Sequence, residues 1–134
     1  MERDWLKVYD LKKDNEYIEL VQQATLRRND AGLKTEYGLF GSDEWWNAVD
    51  KGFIQKIQVE GKITNINMGG HNDFPEFELT TDNNEKTSWA RRGADDFFKI
   101  GKRAKIIYVM QKFKKPLPKL PKESEIILQM WCEK

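Results

Sequence analysis

Three stretches carry the residue types best suited to recognition. "KTSWARRG" (86–93) sets Trp89 just ahead of Arg91 and Arg92, a flat ring beside two cationic forks. Such a group can stack on a base or another planar ligand while the guanidinium groups hold an anion. "KFKKPLPKLPK" (112–122) holds five lysines and no acid, with Lys112, Lys114, Lys115 and Lys119 spaced among prolines. The prolines favour an extended, stiff segment, so these lysines would track a polyanion or simply face water. His71 lies in the loop "GGHND", beside Asp73. Trp89 also has a plain structural reading. If its ring points inward it fills a core, Ser88 and Ala90 face out, and Arg91 reaches past the rim on its long stem.

Reaction chemistry is harder to build. One histidine and one cysteine fall short of the ligands a Cys/His zinc site needs, so neither a metal nor any other cofactor is expected. No serine stands in a nucleophile elbow, and "NMGGHND" lacks the spacing and the Lys-Ser/Thr of a phosphate loop. The pairs Asp43/Glu44, Asp95/Asp96 and Glu76/Glu78 could in principle serve a carboxylate-dependent hydrolase. The first two pairs, however, fall where acids favour a helix start, and the third lies on a polar strand face. The expectation is a non-enzymatic binding protein.

The elements that must position these residues read clearly in places. "GSDEWWNAVDKG" (41–52) predicts a short helix over 43–51, with Ser42 or Asp43 as cap and Gly52 as stop. "NEYIELVQQATLRRNDAG" has apolar residues at helical spacing, although a hairpin of this segment with "LKTEYGLF" also fits. From residue 53 the period drops to two. "FIQKIQVEGKITNINM" alternates and then slips phase after Ile63, the signature of a bulge, with Gly61 easing a bend. "FPEFELTT", "KTSWARR", "KRAKIIYVMQKF" and "SEIILQMWCEK" follow as strands, with a short helix in "GADDFFKIG" between the third and fourth. Ala104, Ile106, Tyr108 and Met110 are expected on one face of the fourth strand. Ile126, Leu128, Met130 and Cys132 are expected on one face of the fifth. Trp45 and Trp131 are expected in the core.

At 134 residues the chain has the size of a single domain (1–134), read as an N-terminal extension (1–52) and a strand-rich part (53–133). Mean hydropathy is −0.78, and a third of the residues are charged, which suits a polar but foldable chain. The start of the chain carries charges where a signal peptide would be apolar, and no run is long enough to cross a bilayer, so no membrane partner is expected. With a single cysteine the chain forms no internal disulfide, which points to the cytosol. Net charge is +1, with residues 1–50 carrying 7 basic and 11 acidic side chains and residues 51–134 carrying 16 and 11.

Five strands in this order, the first long and bulged and a short helix between the third and fourth, resemble the OB-fold at the level of topology over residues 53–133. The resemblance implies a mainly β, α+β architecture: a closed five-stranded Greek-key barrel with an N-terminal helical extension. It also implies that His71, the Trp89–Arg91–Arg92 strand and the Lys112–Lys119 loop share one binding face. The main expectation is therefore single-stranded nucleic acid or another polyanion as partner. The alternative is a protein partner, met by an adaptor or toxin-immunity module. Five tryptophans and a mixed charge favour that alternative, since tryptophan and arginine are enriched at interface hot spots.

Overall fold

A computed structural model describes residues 4–27, 32–69, 74–91, 95–113 and 123–134. In chain order the elements are β1 (Trp5–Asp10), α1 (Asn15–Arg27), α2 (Asp43–Asp50), β2 (Ile57–Gly69), β3 (Phe74–Thr81), β4 (Lys86–Ala90), β5 (Arg103–Lys112) and β6 (Glu123–Glu133). Short 3-10 turns occupy Leu11–Lys13 and Asp95–Phe97. The mainly β, α+β class is as expected, and so are the helix in residues 15–27 and the turn of helix between the third and fourth predicted strands.

The barrel is not closed. The sheet has six strands in the order β1-β6-β5-β2-β3-β4. To close a barrel from the five predicted strands, β4 would have to pair with β6. That edge of β6 is taken by β1, antiparallel from Trp5↔Glu133 to Asp10↔Gln129. The N-terminal segment thus contributes a strand as well as helices, and β4 ends the sheet.

The chain forms two compact units. One comprises residues 1–10, 58–107 and 129–134. Its core is built by strand alternation from Ile63, Phe77, Leu79, Trp89, Ala104, Ile106, Met130 and Cys132, with Phe98 added from just after the second 3-10 turn. The predicted slip in β2 is a register shift between Ile63 and Asn65 against β3. It leaves the Thr64 hydroxyl outside, hydrogen-bonded to Glu78 Oε1 at 2.7 Å and 2.8 Å from Thr80 Oγ1. Gly61 is required there, because a Cβ would collide with the backbone carbonyl of Thr80.

The second unit comprises residues 11–57 and 108–128. Asp14 caps α1 by accepting from the Tyr17 amide at 3.2 Å, and Ser42 caps α2 by accepting from the Trp45 amide at 3.2 Å. Each cap contributes about 1 kcal/mol. The centre of this unit is Trp45, fully buried, with its ring edge-on to both Phe40 and Trp46. Its indole N–H donates to Gln111 Oε1 at 2.8 Å, and the Gln111 amide donates in turn to the Lys34 carbonyl at 2.8 Å. That pair of bonds explains a departure from the expected pattern in β5. The buried residues are Ala104 and Ile106 and then Val109 and Gln111, while Met110 is exposed and Tyr108 half-buried. The phase changes at Ile107/Tyr108, and a glutamine takes an inward place because both ends of its amide are satisfied.

Candidate partner-binding surface

Of the residues nominated for recognition, the structure describes Trp89, Arg91 and Lys112. Trp89 takes the inward orientation: it is 5% exposed, pairs across the ladder with Phe77, and its indole N–H donates to Thr87 Oγ1 at 2.7 Å. No face of the ring is offered to a ligand, which corrects the stacking platform. A large inward ring suits this place across from Phe77, which itself packs on Phe98 with ring centres 5.1 Å apart. Arg91 follows the strand, its amide donating to the Pro75 carbonyl at 2.9 Å and its guanidinium reaching the Asn67 carbonyl at 3.5 Å. Lys112 is exposed at the end of β5, in the second unit. His71, Arg92, Lys114, Lys115 and Lys119 lie outside the described residues.

Two other aromatic surfaces are present among the described residues. The first, within the unit of β1 to β4, is the sheet face opposite Cys132 and Met130. Register places Lys7 of β1 across from Trp131 of β6, and Trp5 across from Glu133. Lys105 of β5 sets its ammonium 5.0 Å from the Trp5 ring centre and 4.7 Å from that of Trp131, and Lys7 lies 5.8 Å from Trp131. Trp131 is therefore half-buried under lysines and not a core residue as expected. Beside it Arg103 bonds Glu60 at 3.1 Å and Asp82 at 3.2 Å. Burial pulls the Arg103 pKa down, but the hydrogen bonds and charges of Asp82 and Glu60 outweigh it and leave the pKa raised. Here Lys7, Lys105 and Arg103 already hold aromatic or carboxylate partners.

The second surface lies within the unit of α1 and α2 and was not legible in the sequence. Tyr37 stands on the turn closed by the Gly38 amide donating to the Thr35 carbonyl at 3.0 Å. Gly38 has φ +95°, and a Cβ there would meet the Glu44 side chain at 2.9–3.1 Å. Glycine therefore lets the stem of Glu44, in the first turn of α2, lie directly against the turn. At the other end of α2, Gly52 takes φ +85°, and its amide donates to the Val49 carbonyl at 3.2 Å. The Ile54 amide donates to the Ala48 carbonyl at 3.2 Å, which buries Ile54 and turns Phe53 outward. The rings of Tyr37 and Phe53 lie parallel within 9°, centres 6.3 Å apart, and are 38% and 65% exposed.

Tyr37 and Phe53 line an open cleft of about 260 Å³ with Glu36, Glu44, Asn47 and Lys51. Small-molecule pockets run to roughly 300–1,000 Å³, so this one is sized for a side chain or two. Neither Glu36 nor Glu44 forms an ion pair among the described residues, and no cation lies over Tyr37 or Phe53 there. Its trace in the sequence is an aromatic just after a helix-stopping glycine, "KGF", and another just before a turn glycine, "EYG".

Among the described residues no group of three or more His, Cys, Asp or Glu side chains could hold a metal, and no helix is long and apolar enough to cross a membrane. Against known families, the sequence model of a family described as Immunity protein RhsI2 matches residues 6–132. No curated protein matches the chain.

Proposed function

The chain belongs to the Immunity protein RhsI2 family, and on that premise we propose that it is a protein-binding module that neutralises a toxin by occupying it, with no catalytic step of its own. The family match carries this reading, since it spans elements of both units from Leu6 to Cys132. The exposed aromatic pair supports it, because exposed aromatics beside charged groups are typical of surfaces that meet another protein. The nucleic-acid expectation loses its main support with the burial of Trp89. The compartment proposed is the cytosol, where a thiol such as Cys132 stays reduced.

Co-expression with the toxin it is proposed to neutralise tests the reading. The expected result is restored growth together with a stoichiometric complex that survives gel filtration. Restored growth with no complex, and with the toxin chemically altered, would point to an enzyme. No protection at all would remove the immunity reading.

A further inference from the structure

We infer that the Tyr37–Phe53 cleft receives an arginine side chain of the toxin, an inference that rests on the reading of the chain as an immunity protein. The chemistry follows from what the cleft has and what it lacks. It offers two parallel aromatic rings, two carboxylates and an amide, and among the described residues its carboxylates have no cationic partner. Lys51 also lines it but makes no ion pair with Glu36 or Glu44.

The other tryptophans on half-buried faces show how this chain completes such a site. Trp5 and Trp131 have Lys105, and Trp46 has Lys12 with its ammonium 5.0 Å from the ring centre. The Tyr37–Phe53 pair is more exposed than these and has no such cation. A partner's cation completes the same arrangement across an interface. A planar guanidinium suits it better than an ammonium, because it can lie flat on an aromatic face while its N–H groups reach Glu36 or Glu44. The volume of about 260 Å³ has room for such a side chain.

The walls are also held before a partner arrives. Gly38 clamps the Tyr37 turn against Glu44, and the closed end of α2 fixes the chain at Phe53, so little ordering is left for binding. A cleft that held an apolar group alone would leave both carboxylates desolvated without compensation, which favours a cation over a leucine or phenylalanine as the inserted side chain.

The test uses the full chain and the toxin identified by the co-expression experiment, with affinity measured by calorimetry at two salt concentrations. Phe53→Ala is expected to weaken binding on the order of 30-fold, as for loss of a desolvated cation–aromatic contact. The double variant Glu36→Gln/Glu44→Gln is expected to weaken it about tenfold at low salt, with a flatter salt dependence than the parent. Circular dichroism of both variants should match the parent, so that a fold defect is not mistaken for a lost contact. If the parent binds and protects while both variants bind within about twofold of it, the cleft is not the contact, yet the immunity reading stands. A loss with Phe53→Ala but none with the double glutamine variant overturns the cationic occupant. A dimer of the chain alone that Phe53→Ala disperses would place a second copy in the cleft and overturn the inference. If the parent itself fails to bind the toxin, the family-based reading fails first and the inference with it.

Discussion

Two aromatic clusters in this chain answer the same physical question differently. In the first unit Lys105 lies over both Trp5 and Trp131, and Arg103 holds Glu60 and Asp82. In the second unit Tyr37 and Phe53 stand side by side, more exposed, with two carboxylates at hand and no ion pair to them among the described residues. An aromatic face attracts a cation wherever water is partly excluded, at about 0.5–2 kcal/mol. Where the chain provides the cation, the contact serves stability. Where it does not, the same chemistry is open to a partner. Composition cannot separate these cases, because both use aromatic rings and charges that are common throughout the sequence.

Substitutions can break this contrast, beginning with the largest effect. Trp45 is fully buried and bonded to Gln111, so Trp45→Ala should lower unfolding free energy by about 3–5 kcal/mol in urea titration. A loss below about 1 kcal/mol would mean that the second unit is not organised around this ring. Trp131→Ala removes a half-buried ring and its lysine contacts, and is expected to cost on the order of 1–2 kcal/mol of stability while toxin affinity stays the same. An affinity loss with that variant would erase the distinction between the two clusters.

Gly38→Ala sharpens the contrast from the other side. The strained φ and the collision with Glu44 should cost about 1–2 kcal/mol, and toxin affinity should fall because the Tyr37 turn moves. Unchanged affinity would show that the position of Tyr37 is unimportant.

The smallest effect at neutral pH concerns Cys132, whose thiol is pushed up to about 11 from 9.0 by burial. A raised pKa means that the folded state holds the proton more tightly. Its contribution to stability is complete below about pH 9 and is lost as pH rises through about 11. Tyr108, raised by burial and then by the charge of Glu125, acts in the same direction. Stability measured across pH 8 to pH 11 should therefore fall, and less steeply in Cys132→Ala. At pH 7 the native thiol should resist alkylation and react once the chain unfolds.

Periodicity and capping within the sequence determined most of the secondary structure. Ser42 and Gly52 bracket α2, Asp14 starts α1, the slip after Ile63 marks the bulge in β2, and five of the six strands lie where alternation places them. These features depend on neighbours along the chain, so the sequence carries them directly. "WLKVYD" gave no strand signal, because its half-buried side chains lie on both faces without alternation.

Only the tertiary structure decided that this segment takes the free edge of β6 and leaves the sheet open. It also decided that Trp89 turns inward, that β5 changes phase to bring Gln111 to Trp45, and that Tyr37 and Phe53 meet across α2. Each of these outcomes depends on what fills the space or satisfies the hydrogen bond at a point far along the chain. Edges, core volume and side-chain partners are shared among distant residues, and local pattern holds no record of which of them will meet.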